Sequence, residues 1–233
     1  MADRAFYEKF RTTPQGQALL RMIRYAEGTE RKGPDSYRVM FGGGLAPDLK
    51  QHPDKVITGG GYSSSAAGAY QFLTPTWQQQ QKKLGLQSFG PVEQDIAALD
   101  LARQRTMGLG GLSYLQEKGL TPEFVAKLAP EWASLPTQQG KSYYGQPVKS
   151  FDELKKVYGQ QAATPVATTT TQQPQATTQA PEQTAPKYNV KDLMKASLFQ
   201  NLLNQINQPS PTRQLTQGLI QGFMSGSPLG MFK

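Results

Sequence analysis

The sequence predicts a mainly α-helical globular domain with a small β-rich insertion just after its first long helix. A disordered linker and a separate C-terminal helical segment follow. Three observations carry this. Apolar residues recur at helical spacing between Thr-Pro starts and Gly stops. That spacing is lost between Gly33 and Tyr62. The composition then changes abruptly after Gln160.

Thr13 is placed to cap a helix with Pro14 in its first position, Leu19, Leu20, Ile23 and Ala26 form its apolar stripe, and Gly28 stops it. Tyr37, Val39 and Phe41 then alternate with Arg38 and Met40 before Gly42-Gly43-Gly44, which predicts short strands and loops. Helices return with Thr74-Pro75 through Trp77 to Leu84-Gly85. Another follows Pro91 and carries Val92, Ile96, Leu99 and Leu101. A short one spans Leu112 to Lys118. Thr121-Pro122 repeats the cap-plus-proline signal ahead of Phe124, Val125, Leu128 and Trp132. Ser150 and Glu153 form a capping box for a last helix through Tyr158.

These elements assign residues 1–160 to the globular domain. Residues 161–186 are almost entirely Gln, Thr, Ala and Pro with one charge, Glu182, too polar to offset the entropy of ordering. They are expected to form an extended linker. Residues 187–233 form a third unit. From Val190 to Ile206 a mostly apolar stripe lies at helical spacing, Pro209 and Pro211 end it, and a glycine-weakened stretch carries Leu215, Leu219, Ile220, Phe223 and Met224. A stripe beyond a linker wants a partner surface, either on the globular domain, on a membrane or on another protein. Its polar face holds Gln and Asn rather than a cationic row, which weakens the membrane alternative.

Composition narrows the chemistry. No cysteine occurs among the 233 residues, so disulfides, thiol nucleophiles and thiolate metal sites are excluded. The only histidine, His52, lies in the turn-like string His52-Pro53-Asp54-Lys55 and is expected to be a solvent-facing or supporting loop residue. Neither a metal nor a cofactor is expected. The net charge of +8 divides into 20 basic against 15 acidic residues through Gln160 and 5 against 2 beyond it. That excess favours polyanions, but no dense basic block with interleaved aromatics points to nucleic acid. The N-terminus lacks the apolar core of a secretory signal, and no run of about eighteen apolar residues would span a membrane.

Carboxyl groups remain. Glu27 ends the first long helix, where the helix dipole disfavours its charged form and suits it to donate a proton. Cleavage of a glycosidic bond needs such an acid, and hydrolysis usually needs a second carboxylate. Glu30, Asp35, Asp48 and Asp54 are the nearby candidates, each in a polar loop. With one acid alone, a different route fits. The acid protonates the bridging oxygen, then as a base takes the proton of the sugar's own 6-hydroxyl, which closes on the anomeric carbon and leaves a 1,6-anhydro sugar. Neutral dipoles would then stabilise the transition state.

An ordered set of strings resembles the bacteriophage lambda endolysin family. It begins with Ala26-Glu27-Gly28-Thr29, Tyr37-Arg38-Val39 with Gly42-Gly43, and His52-Pro53. It continues through Ser65-Ala66-Ala67-Gly68-Ala69-Tyr70-Gln71-Phe72-Leu73 with Trp77, Leu84-Gly85-Leu86, and Gln94-Asp95. It closes with Trp132-Ala133-Ser134-Leu135-Pro136 and Tyr144-Gly145-Gln146. The likeness covers roughly residues 15–158.

The resemblance implies a lysozyme-like fold and lytic transglycosylase action on the MurNAc-GlcNAc β-1,4 bond of peptidoglycan, with Glu27 as the catalytic residue. It implies glycan contacts from Thr29, Tyr37, Ser65, Tyr70, Gln71, Trp132, Tyr144 and Gln146, and two mobile lips near Val56–Ser65 and Pro136–Tyr144. Ala69 departs from the lambda sequence itself, which has an arginine there. A hydrolytic muramidase is the alternative reaction. A virion or tail protein docked through residues 187–233 is the alternative role. Action in the host periplasm or cell wall, from the virion or the host cytoplasm, is the expected localisation.

Overall fold

The computed structural model describes residues 4–59, 62–143 and 147–162. Tyr144, Gln146, the linker beyond Ala162 and the segment 187–233 lie outside the described residues. The element order is α1 (Arg4–Phe10), α2 (Pro14–Ala26), β1 (Ile57–Gly59), β2 (Tyr62–Ser64), α3 (Thr74–Leu84), α4 (Pro91–Thr106), α5 (Ser113–Lys118), α6 (Pro122–Leu128) and α7 (Phe151–Ala162). The sequence-predicted signals act at several boundaries. The Thr13 hydroxyl accepts from Gly16 N–H at 3.0 Å, Thr121 accepts from Phe124 N–H at 3.2 Å, and Ser150 and Glu153 bond reciprocally.

Two differences from expectation stand out. Helix α1 is marked by none of the Thr-Pro and Gly signals read from the sequence. It is held from outside, by Tyr7 and Phe10 buried in the core and by Arg4 paired with Glu93 at 2.8 Å. The alternating stretch around Tyr37–Phe41 is not a strand. It forms 3-10 turns over Glu30–Arg38 and Phe41–Gly43, joined to the rest by single bridges, Val39 to Leu45 and Met40 to Ala67. Glycines at φ 55° (Gly33) and 81° (Gly42) break the extended run that alternation needs. The regular sheet is the β1–β2 hairpin, antiparallel, pairing Ile57 with Ser64 and Gly59 with Tyr62.

The helical core is continuous with an aromatic cluster beneath the irregular part. Phe89 meets Phe72 and Trp77 edge-on, with the Trp77 and Phe89 ring centroids 4.6 Å apart, and Phe72 lies tilted against Trp77. His52 joins this cluster at 4.8 Å from Phe89 and is buried, which is the supporting alternative and not the solvent-facing one. Its Nε2 donates to the Phe72 carbonyl at 2.9 Å and its Nδ1 accepts from Asp54 N–H at 3.1 Å. Burial pushes its pKa down, so the neutral ring serves as a joint.

Close packing demands glycine at position 68. Gly68 adopts φ 81°, and a Cβ there would lie 2.3 Å from Gln94 Oε1 and 2.8 Å from the Phe89 ring. Gln94 cannot yield, because it bonds Ala69 N–H, Tyr37 O and Phe89 O at once. Gly68→Ala is therefore expected to cost about 2–4 kcal/mol of stability from strain and overpacking, read as a lowered urea midpoint at unchanged m-value.

Candidate active site

Glu27 is the C-cap of α2, its N–H donating to the Ile23 carbonyl at 2.9 Å. Gly28 turns the chain with φ 74°, and Thr29 N–H closes on Arg24 O at 3.0 Å. The carboxyl therefore stands where the core's longest-range contacts meet the irregular segment. Its partner comes from the far end of the domain: Ser134 Oγ donates to Glu27 Oε1 at 2.5 Å. Ser134 lies in the turn after α6, braced by Leu135 N–H to Trp132 O at 2.9 Å and Lys149 N–H to Ser134 O at 3.0 Å.

Burial pushes the Glu27 pKa from an ordinary 4.5 up to about 7, and the Ser134 hydrogen bond pulls against it. The sequence assigned the raised pKa to the helix dipole. In the folded chain the larger cause is the loss of water around the carboxyl. No charged neighbour among the described residues acts on it. The other candidate acids are engaged elsewhere or exposed. Glu30 is held between Arg21 at 2.8 Å and Arg24 at 3.2 Å. Asp35 pairs with Arg38 at 3.3 Å, and Asp48 accepts from Lys50 N–H at 2.9 Å. Asp54 is exposed.

The segments expected as lips are two exposed turns. One is the β1–β2 hairpin. In the other Pro136 bridges Ser142, Thr137 N–H donates to Lys141 O at 2.8 Å, and Gly140 turns at φ 71°. Between them runs the turn from Ala66 to Phe72, closed by the Ala67–Phe72 bridge. Gln71 in this turn has φ 51°, a left-handed conformation that a non-glycine residue adopts at a cost of about 1–3 kcal/mol. Its amide donates to Gly68 O at 2.9 Å and Val39 O at 3.3 Å, which leaves its side-chain oxygen without a protein partner among the described residues.

The remaining predicted contacts divide. Tyr37 is half-buried, with its hydroxyl on Asp95 Oδ1 at 3.0 Å and its ring 5.9 Å from the Arg24 guanidinium. Ser65 is half-buried and accepts from Thr74 N–H at 3.2 Å. Three others support the site from below instead of facing it. Thr29 is buried with its hydroxyl on Ala69 O at 2.6 Å. Tyr70 is 1 % exposed, donating to Asp95 Oδ1 at 2.6 Å and accepting from Arg24 at 3.0 Å. Trp132 is 3 % exposed, its Nε1 donating to Tyr70 O at 3.3 Å. These side chains are buried and spent on internal bonds.

Sequence reasoning did not select Ser134, Arg24, Gln94 or Asp95 as functional. Ser134, Gln94 and Asp95 sit inside strings that carry the family resemblance, which was the one available signal; nothing local marks a serine in a turn as the partner of an acid 107 positions earlier. Among the described residues no group of three His, Cys, Asp or Glu is arranged to hold a metal, and no helix is long and apolar enough to cross a membrane.

The domain is mostly helical with one small hairpin and carries a part-buried acid at its first helix–loop junction. A model of the endolysin family matches residues 17–165. The endolysin of Escherichia phage lambda is 34 % identical over 127 residues, 52 % of this chain and 77 % of that protein. The endolysin of Escherichia phage P2 is 33 % identical over 112 residues, 48 % of this chain and 62 % of that protein. Among solved structures, bacteriophage lambda lysozyme complexed with a chitohexasaccharide aligns with TM-score 0.56 and 30 % identity, over 64 % of this chain and 94 % of that one. A second structure of lysozyme from bacteriophage lambda gives TM-score 0.54 and 29 % identity over the same shares. The chain belongs to the endolysin family, the peptidoglycan-degrading enzymes of phages.

The raised pKa has a sign that can be checked. Folded Glu27 binds its proton more tightly than the unfolded chain does. The stability this contributes is present below the ordinary 4.5 and is lost as pH rises toward about 7. Glu27→Gln removes the titration. The variant is expected to match wild type in unfolding free energy below that window and to exceed it above neutrality by up to about 3 kcal/mol. Urea unfolding at several pH values measures the difference.

Proposed function

We propose that this endolysin is a lytic transglycosylase that cleaves the MurNAc-GlcNAc β-1,4 bond of peptidoglycan with one catalytic residue, Glu27. The protonated carboxyl gives its proton to the glycosidic oxygen, and the bond from that oxygen to the anomeric carbon breaks. The resulting carboxylate takes the proton of the muramic 6-hydroxyl, and O6 bonds to the anomeric carbon. Glu27 ends protonated again, no water is consumed, and the product carries a 1,6-anhydro ring. A pKa near neutrality suits both halves, since neither protonation state is costly to reach.

The observation that carries this reading is the isolation of Glu27. A two-carboxylate hydrolase holds its acids about 5–9.5 Å apart, close enough for each to raise the other's pKa. Here desolvation alone does the raising, and Glu30, the acid nearest in sequence, is neutralised by Arg21 and Arg24. The solved complex of the lambda lysozyme with a chitohexasaccharide supports a glycan in the equivalent groove. Gln71, with its free side-chain oxygen and strained backbone, is assigned to the glycan, together with Tyr37, Ser65, Tyr144 and Gln146. Digestion of purified peptidoglycan is expected to release muropeptides lighter by one water than hydrolytic products, and Glu27→Gln is expected to release none. Reducing-end products by mass spectrometry would establish the muramidase reaction instead.

A carrier role is favoured by the sequence beyond the catalytic domain. The Gln/Thr/Pro/Ala-rich stretch 161–186 and the apolar stripe of 187–233 extend past the family match at 165. We infer that they tether the enzyme to a tail or inner-core protein of the particle. Removing residues 187–233 is expected to leave activity on purified walls intact while the protein disappears from purified virions by proteomics.

A further inference from the structure

We propose that Gln94 and Asp95, in the first turns of α4, are positioning residues that hold the Glu27–Ser134 pair in register through the Ala69–Tyr70 dipeptide. The inference rests on Glu27 being the reacting acid.

Each residue of this dipeptide is gripped from α4 on one side and itself grips the active site on the other. Gln94 Oε1 accepts from Ala69 N–H at 2.8 Å, and the Ala69 carbonyl accepts from the Thr29 hydroxyl at 2.6 Å. Asp95 Oδ1 accepts from the Tyr70 hydroxyl at 2.6 Å, and the Tyr70 carbonyl accepts from Trp132 Nε1 at 3.3 Å. Thr29 lies two residues after Glu27 and Trp132 two residues before Ser134. Local backbone bonds remove slack from both short arms, Thr29 N–H to Arg24 O and Leu135 N–H to Trp132 O.

The grip itself is fixed. Gln94 is fully buried and also donates to Tyr37 O at 2.9 Å and Phe89 O at 2.7 Å. Asp95 is buried and faces the Tyr37 hydroxyl at 3.0 Å and Arg11 at 3.7 Å, while Arg24 bonds the same Tyr70 hydroxyl. Two adjacent peptide units therefore set where the acid and its hydrogen-bond donor stand. Misplacement of reacting groups by about 1 Å can cost on the order of 100-fold in rate. A bond as short as that from Ser134 to Glu27 leaves little tolerance.

The test uses the full-length chain on purified peptidoglycan, at temperatures where each variant is folded by circular dichroism. Tyr70→Phe removes the grip of Asp95, Thr29→Val breaks the link from Ala69 to the Glu27 side and Thr29→Ser restores it, and Gln94→Met removes the grip on Ala69. Tyr70→Phe and Thr29→Val carry the test if Gln94→Met does not fold. The expected result is a kcat lowered about tenfold or more with KM little changed, a displaced alkaline limb of the kcat–pH profile, and recovery of both in Thr29→Ser. Variants that lose melting temperature but keep wild-type kcat and pH limb would overturn the proposal. A Glu27→Gln control that retains activity would instead overturn the catalytic reading beneath it.

Discussion

The hydrogen bond from Ser134 to the part-buried carboxyl of Glu27 is the interaction on which the site depends. It joins residue 27 to residue 134 and so exists only when the whole domain is folded. Its two ingredients act in opposite directions. Desolvation favours the neutral acid and the serine hydroxyl favours the anion, and the balance falls near neutrality. A more exposed glutamate would be ionised at the outset and have no proton to give. One with several donors would hold its negative charge too firmly to take a proton back. One hydroxyl and no neighbouring charge leave both protonation states within reach.

That arrangement is costly to the folded state and has to be offset elsewhere. The offset is visible in how α2 is held. Its apolar face is buried along its length and α7 packs against it. Beneath the irregular segment the Phe72–Trp77–Phe89 cluster and the neutral His52 supply a rigid base. Strain is placed where it serves the site: the left-handed backbone of Gln71 lies within the turn whose carbonyls anchor Thr29 and Trp132.

Sequence signals were strongest where structure is local. Thr13-Pro14, Thr74-Pro75, Pro91 and Thr121-Pro122 all open helices, because capping and proline act within one turn. Glu27 was legible for the same reason, as the residue between a stripe and a stopping glycine. Helix α1 was not, since its stability comes from Asp100 and Glu93 some ninety residues away. Tyr70 and Trp132 are ambiguous in the sequence for a related reason. An aromatic beside a catalytic string reads equally as ligand contact or as support, and only the partners of its polar atom decide. The 3-10 turns around Tyr37 show tertiary contacts overriding an alternating pattern.

Helix α4 ties these strands together. Every residue from Gln94 to Ala102 is buried, so no amphipathic stripe could specify its rotation. Polar side chains do so instead. Gln94 and Asp95 take the turn beneath the active site. Asp100 takes Tyr7 at 2.7 Å, Lys83 at 2.6 Å and Gln104 at 2.7 Å. Each bond comes from a fixed direction, and a buried acid left without partners would cost several kcal/mol, on the order of 3–5. Rotating α4 by even one position would orphan these groups together. The register of the central helix is therefore set by polar bonds. Helix α1 and Arg11 just after it, which precede the matched family region, add a clamp to it through Arg4, Tyr7 and Arg11, whose partners are Glu93, Asp100 and Asp95. On the proposed reading the placement of Glu27 follows from α4, because the buried polar groups that fix α4 also hold the turn whose carbonyls bond Thr29 and Trp132.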